Sequence, residues 1–121
     1  MKAFDYTKLD KIDSACGPVK EGLNDDIGFA RVEMINGISP AHYHIKTTEY
    51  YLVISGKGIT KIKTPQGEVI ETELKPGVVL RIDPKEAHQT NNIDSLVLEA
   101  ITIPAWTAKD EIIIKESLFS E

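Results

Sequence analysis

Apolar and polar residues alternate over short stretches of this chain, as in Ala30-Arg31-Val32-Glu33-Met34 and Val69-Ile70-Glu71-Thr72-Glu73-Leu74. A period of two marks half-buried strands. Turn signals separate the stretches: Asn36-Gly37, Ser39-Pro40, Ser55-Gly56-Lys57-Gly58, Pro65-Gln66-Gly67, Lys75-Pro76-Gly77 and Asp83-Pro84. The pattern predicts strands at 27–35, 41–45, 48–55, 58–64, 67–74, 78–83, 86–91 and 95–103, and few gaps have room for a helix. Many short strands punctuated by Gly and Pro point to an all-β sandwich, jelly roll or small barrel. Thr7 to Ala15 reads either as a helical turn or as an extended arm across a sheet edge. Thr107-Ala108-Lys109-Asp110 has capping-box spacing, so it reads either as a short helical turn or as an irregular charged tail. The expected organisation is an arm over 1–25, a barrel over 26–104, and a tail over 105–121 that packs on the barrel.

Composition narrows the function classes. A chain of 121 residues, 41% hydrophobic and 27% charged, forms one ordinary globular domain. Nineteen acidic against fourteen basic residues, a formal charge of -5, leave no broad positive field for a phosphate backbone, so nucleic acid is not an expected partner. No apolar segment suggests a membrane partner. The first residues carry no apolar signal-like run, and the single Cys16 cannot close an intrachain disulfide, so a cytoplasmic setting is expected. Cys16 has no Lys or His beside it in sequence to activate it as a nucleophile.

The chemistry concentrates in three histidines, His42, His44 and His88. On an extended segment residues i and i+2 share a face, so His42 and His44 project together, roughly 7 Å apart at the backbone. Glu49 follows a short polar connection, and a tight reversal there returns it beside them. Two inward imidazoles in a small interior need partners for their nitrogens, and a divalent ion supplies them. Spacing alone leaves a second reading open, surface histidines on a loop after Pro40. No G-x-S-x-G elbow surrounds any serine, which disfavours a serine hydrolase.

These residues also resemble the cupin family. Gly37, His42, His44, Glu49 and Gly56 stand in the order of its first motif, with the first gap one residue short. Gly77, His88 and Asn92 keep the separations of the second. In the P-x-G element of that motif Asp83 takes the proline position, with Pro84 beside it, and Lys85 takes the glycine position. A lysine is expected there only with a backbone that avoids φ > 0.

The resemblance implies a double-stranded β-helix, a jelly-roll barrel. It also implies one divalent transition metal (Mn, Fe, Co, Ni, Cu or Zn) held by His42, His44, Glu49 and His88. Three neutral nitrogens and an anionic oxygen suit such ions, and the lack of thiolates argues against a closed structural zinc site. Strand parity then places Tyr51 on the face of Glu49, a candidate catalytic residue, and Thr90 and Asn92 on the face of His88, candidates for substrate binding. Trp106 is expected under the barrel or at a subunit contact. The leading functional expectation is a metal-dependent enzyme on a small molecule, of dioxygenase-type oxidoreductase chemistry. Alternatives are a non-catalytic barrel for a sugar or organic acid, a sugar isomerase or lyase, and a metal site that only staples the fold. A homodimer is expected, with the apolar run Leu96 to Ile103 as an edge strand at its interface.

Overall fold

The computed structural model describes residues 1–14, 17–34 and 37–119. Among the described residues it shows nine strands: β1 (Ile12–Ser14), β2 (Gly17–Asn24), β3 (Gly28–Met34), β4 (His42–His44), β5 (Thr48–Lys63), β6 (Val69–Leu74), β7 (Val79–Ile82), β8 (Ala87–Ile103) and β9 (Glu111–Ile113). Single 3-10 turns occupy Tyr6–Lys8 and Ala108–Asp110. Among the described residues no helix is long and apolar enough to cross a membrane.

Two long strands organise the jelly roll. The first half of β5 (48–53) pairs with the second half of β8 (98–103), and its second half (58–63) pairs with the first half of β8 (87–92). The register shifts between Val53 and Gly58, where both strands bend from one layer into the other. On one side of the bend lie β1, β2, β3, β8, β5 and β7; on the other lie β9, β4, β8, β5 and β6. The sequence pattern assigns Ser55-Gly56-Lys57-Gly58 to a reversal between two strands. It is instead the corner of one continuous strand. Gly56 has φ 82, and a Cβ there would lie 2.3 Å from the Ser95 carbonyl oxygen, so only glycine lets the bent strands approach this closely.

Parity decides the core. Val32, Tyr51, Val53, Leu98 and Ala100 share the inner face of the first layer and, with Leu96 at the bend, meet Ile62 and Leu74 from the second in one cluster. Leu74 and Leu96 have no exposure at all, and each such burial contributes roughly 1.5–3 kcal/mol.

The chain ends cover the sheet. β1 and β2 extend the first layer beyond β3, so residues 12–14 and 17–24 are strands of the sheet, and the 3-10 turn before them starts at Asp5, whose Oδ1 accepts from Thr7 N at 2.9 Å. At the other end Thr107 opens the turn over Ala108–Asp110 without a side-chain capping bond. The run Leu96–Ile103 is not an edge: β8 is bonded to β3 on one side and β5 on the other, so it cannot pair with a second chain. Asn36 of the Asn36-Gly37 turn and Cys16 lie outside the described residues.

Candidate metal centre

The four sequence candidates come together from three strands. His42 and His44 lie on β4, His88 stands opposite His42 on β8, and Glu49 reaches in from the first-layer end of β5. One donor atom from each lies within 4.8 Å of the others, and all four residues are buried.

The tautomers are set by backbone carbonyls. His42 Nδ1 is 3.2 Å from Pro40 O and His88 Nδ1 is 3.1 Å from Glu86 O. A carbonyl only accepts, so each Nδ1 carries the proton and each Nε2 turns a lone pair to the centre. There His44 Nε2 and His88 Nε2 stand 3.4 and 3.2 Å from Glu49 Oε1, yet none of these three atoms has a hydrogen-bond partner. His42 Nε2 is 3.3 Å from Glu111 Oε1, a further carboxylate supplied by β9. Electron-rich atoms crowded together with no hydrogen bonds between them are stable with a cation among them. The donor set therefore fits a first-row divalent ion held by three imidazole nitrogens and one carboxylate oxygen.

The electrostatics favour the ligand charge state at His42 and Glu49, while at His44 the Glu49 carboxylate favours a proton. Burial pushes the His42 pKa down to about 4, so that its ring is neutral near pH 7. Burial raises the Glu49 carboxyl, but His44 and His88 outweigh it and hold the group far below the usual carboxylate range. Burial also opposes a charge on His44, and Glu49 reverses this to leave its pKa raised. Asp110 braces the connection between His44 and Glu49. Its Oδ1 accepts from Lys46 N at 2.9 Å and its Oδ2 from Thr47 N at 3.1 Å. Oδ2 also lies 3.8 Å from His44 Nδ1.

The centre floors a cavity of about 440 Å³. Tyr51 lines it with its ring 6.2 Å from that of His88. Thr90 also lines it, its hydroxyl 2.8 Å from that of Thr60 and its N–H donated to Ser39 Oγ at 3.1 Å. Asn92 is not among the lining residues: its Oδ1 accepts from Leu96 N at 3.0 Å, which secures the β8 corner. Asn92 keeps the parity of His88 and Thr90 in the pairing to β5, but it sits where the register shifts at the corner, away from the cavity. Trp106 and Glu111 line the cavity as well, so Trp106 belongs to the site rather than beneath the barrel. Glu111 opens the short run Glu111-Ile112-Ile113-Ile114, whose charged leader at the start of an apolar stretch was the available sign of it.

The match to a family model, that of the cupin domain, runs over residues 32–104 and so takes in all four donors. The chain is a cupin. Two curated relatives of this cupin carry the name glucose-6-phosphate isomerase. That of Thermococcus litoralis is 32% identical over 112 residues, 84% of this chain and 57% of the relative. That of Pyrococcus furiosus is 31% identical over 84% of this chain and 58% of the relative. The cupin chain thus spans little more than half the length of these relatives.

Solved structures share the fold at low identity. A protein from Planctomyces limnophilus has a TM-score of 0.79 at 14% identity, covering 92% of this chain and 95% of that one. Oxalate decarboxylase from Bacillus subtilis has 0.77 at 12%, over 92% of this chain and 31% of the neighbour. CapF with the inhibitor 3-isopropenyl-tropolone has 0.75 at 19%, over 89% and 35%.

Proposed function

We propose that this cupin is a metal-dependent enzyme acting on a small molecule, with dioxygenase-type oxidoreductase chemistry as the leading reading. The observation that carries it is the buried set His42, His44, Glu49 and His88, whose donor atoms converge at the floor of the cavity with His44 Nε2, Glu49 Oε1 and His88 Nε2 lacking hydrogen bonds. His42 Nε2, His44 Nε2, His88 Nε2 and Glu49 Oε1 would hold the ion. When bound, a first-row ion supplies Lewis-acid polarisation of a substrate oxygen and, if redox-active, a site for electron transfer. The chain's own groups handle the proton. The Glu111 carboxylate faces the cavity beside His42, placed to accept a proton from a substrate hydroxyl. Tyr51 lines the same cavity, whose walls are largely apolar. That CapF takes a tropolone, a ring with two adjacent oxygens, supports a chelating substrate.

Isomerisation is the second reading, favoured by the glucose-6-phosphate isomerases that match 84% of the chain. Both readings require the metal. Elemental analysis of purified protein is expected to find one transition ion per chain, and His42→Ala and His44→Ala to lose most of it while Tyr50→Phe keeps it. Oxygen uptake with enolic and catecholic compounds supports the leading reading. Aldose–ketose interconversion followed by NMR without oxygen uptake replaces it with the second. Absence of metal from the wild type, or its retention by both histidine variants, overturns both.

A further inference from the structure

The cavity has a marked division of chemistry. Its floor carries His42, His44 and Glu49, whereas its walls include Ile12, Val19, Ala30, Val32, Leu98 and Trp106. The charged residues that line it are Glu21, Glu49 and Glu111, all acidic, and among the described residues no lysine or arginine lines it. None of residues 13–18, 34–36, 120 and 121 is a lysine or arginine either.

Nearby basic groups are committed elsewhere. Arg31 lies on β3 between Ala30 and Val32, which face the cavity, so parity turns it to the outer face. There it sits 3.5 Å from Glu99 and 4.7 Å over the Tyr6 ring. Lys20 donates to Tyr6 O at 3.1 Å, and Lys11 pairs with Glu33 at 2.6 Å. With the chelating head on the metal, a phosphate at the other end of the molecule would meet the Glu21 and Glu111 carboxylates and no lysine or arginine at the walls.

Free polar groups are also few. The Thr90 hydroxyl is engaged with Thr60, Ser39 Oγ accepts from Thr90 N, and Thr102 Oγ1 accepts from Trp106 N at 3.0 Å. A polyol body entering here would strip its hydroxyls of water against apolar walls, with few replacements.

We infer that the cavity takes a molecule with a two-oxygen chelating head and an apolar body free of further charge, and that it rejects phosphorylated sugars. This deepens the proposed function and rests on its metal. It separates the chain from what the name of its curated relatives suggests about substrate, through the absence of any cation at the walls.

The test reads binding, not turnover. The full chain is loaded with Co(II), and its visible spectrum is titrated with tropolone, isopropyl-tropolone and glucose 6-phosphate. The two tropolones share a head and differ only in an apolar group. Burying three extra carbons is expected to tighten binding by roughly tenfold or more. Trp106→Ala, a substitution in the cavity wall, is expected to shrink that ratio. Glucose 6-phosphate is expected to bind no tighter than inorganic phosphate. Equal affinities for the two tropolones, or tighter binding of glucose 6-phosphate than of isopropyl-tropolone, overturns the inference and leaves the metal reading standing. Failure to take up Co(II) at all overturns the metal reading and the inference with it.

Discussion

Lys85 holds a backbone conformation that its side chain disfavours. Asp83, Pro84, Lys85 and Glu86 form a turn closed by Glu86 N donating to Asp83 O at 3.2 Å, and Lys85 has φ 69. With Pro in the second position and a positive φ in the third, this is the turn that ordinarily asks for glycine third. The sequence-based expectation that a lysine would keep out of that region is therefore wrong. Its N–H donates to His44 O at 2.7 Å, which ties the turn to the strand that carries two donors, while Asp83 N donates to Glu86 Oε1 at 2.7 Å. The surroundings impose the conformation, at a cost of about 1–2 kcal/mol. Lys85→Gly removes that strain and loosens the unfolded chain, with a net stabilisation of about 1 kcal/mol expected. Chemical denaturation checks it, and a loss of stability would show that the lysine side chain contributes more than its backbone costs.

The strands and their connections show what sequence period can and cannot convey. β4 and the start of β5 are legible because His42, His44 and Glu49 keep a fixed spacing along one short path. Two other features are not. The corner in β5 looks like a turn because Gly56 and Gly58 flank Lys57, yet pairing to β8 continues through it. Burial over Ala87–Thr90 is continuous rather than alternating, because the tail returns to cover the second face. Gln89 Oε1 there accepts from Leu118 N at 2.6 Å. Gly56→Ala is expected to destabilise by about 2 kcal/mol or more, since it adds positive-φ strain to a clash with backbone; a denaturation midpoint unchanged from wild type would refute the close approach. Asp110 is a long-range strap read from sequence only as part of a cap. Asp110→Ala leaves Thr47 N, on a residue only 2% exposed, without its acceptor. A cost of about 1–3 kcal/mol is expected, together with weaker metal affinity, because the strapped connection spaces His44 from Glu49. Calorimetric titration of the variant with Co(II) measures the second effect.

At the scale of the whole molecule, the donors sit beside one end of the apolar core, with Val32, Tyr51, Leu98 and Ala100 in the wall of the same cavity. Most of the buried apolar surface, including Leu74, Ile82 and Leu96, lies outside that cavity. Chelation is therefore expected to lower the melting temperature but leave the protein folded at 25 °C, since a ligand at 100 times its Kd adds only about 2.7 kcal/mol. Retained far-ultraviolet circular dichroism in excess chelator checks it; collapse of that signal would assign the metal a purely structural role.

The pH dependence of the metal-free form follows from the same groups. His42 has its pKa lowered to about 4 from 6.5, so between those values the unfolded chain binds a proton that the folded chain refuses, and stability falls with falling pH. Glu49, held below its ordinary 4.5, adds to that loss below this value. His44 acts in the opposite sense. Its raised pKa gives a contribution complete below 6.5 and lost as pH rises through the folded value. The contact between His44 and Glu49 underlies both of their shifts, so it counts once. Stability of the metal-free protein is therefore expected to peak near pH 6.5. Binding a cation requires neutral ligand rings, and at His44 protons compete with it up to that ring's raised pKa. Loading the site with Co(II) is thus expected to move the peak upward in pH, and melting curves from pH 5 to 9 with and without metal measure the displacement. A peak that stays in place on loading would mean that the ion binds somewhere other than at these histidines.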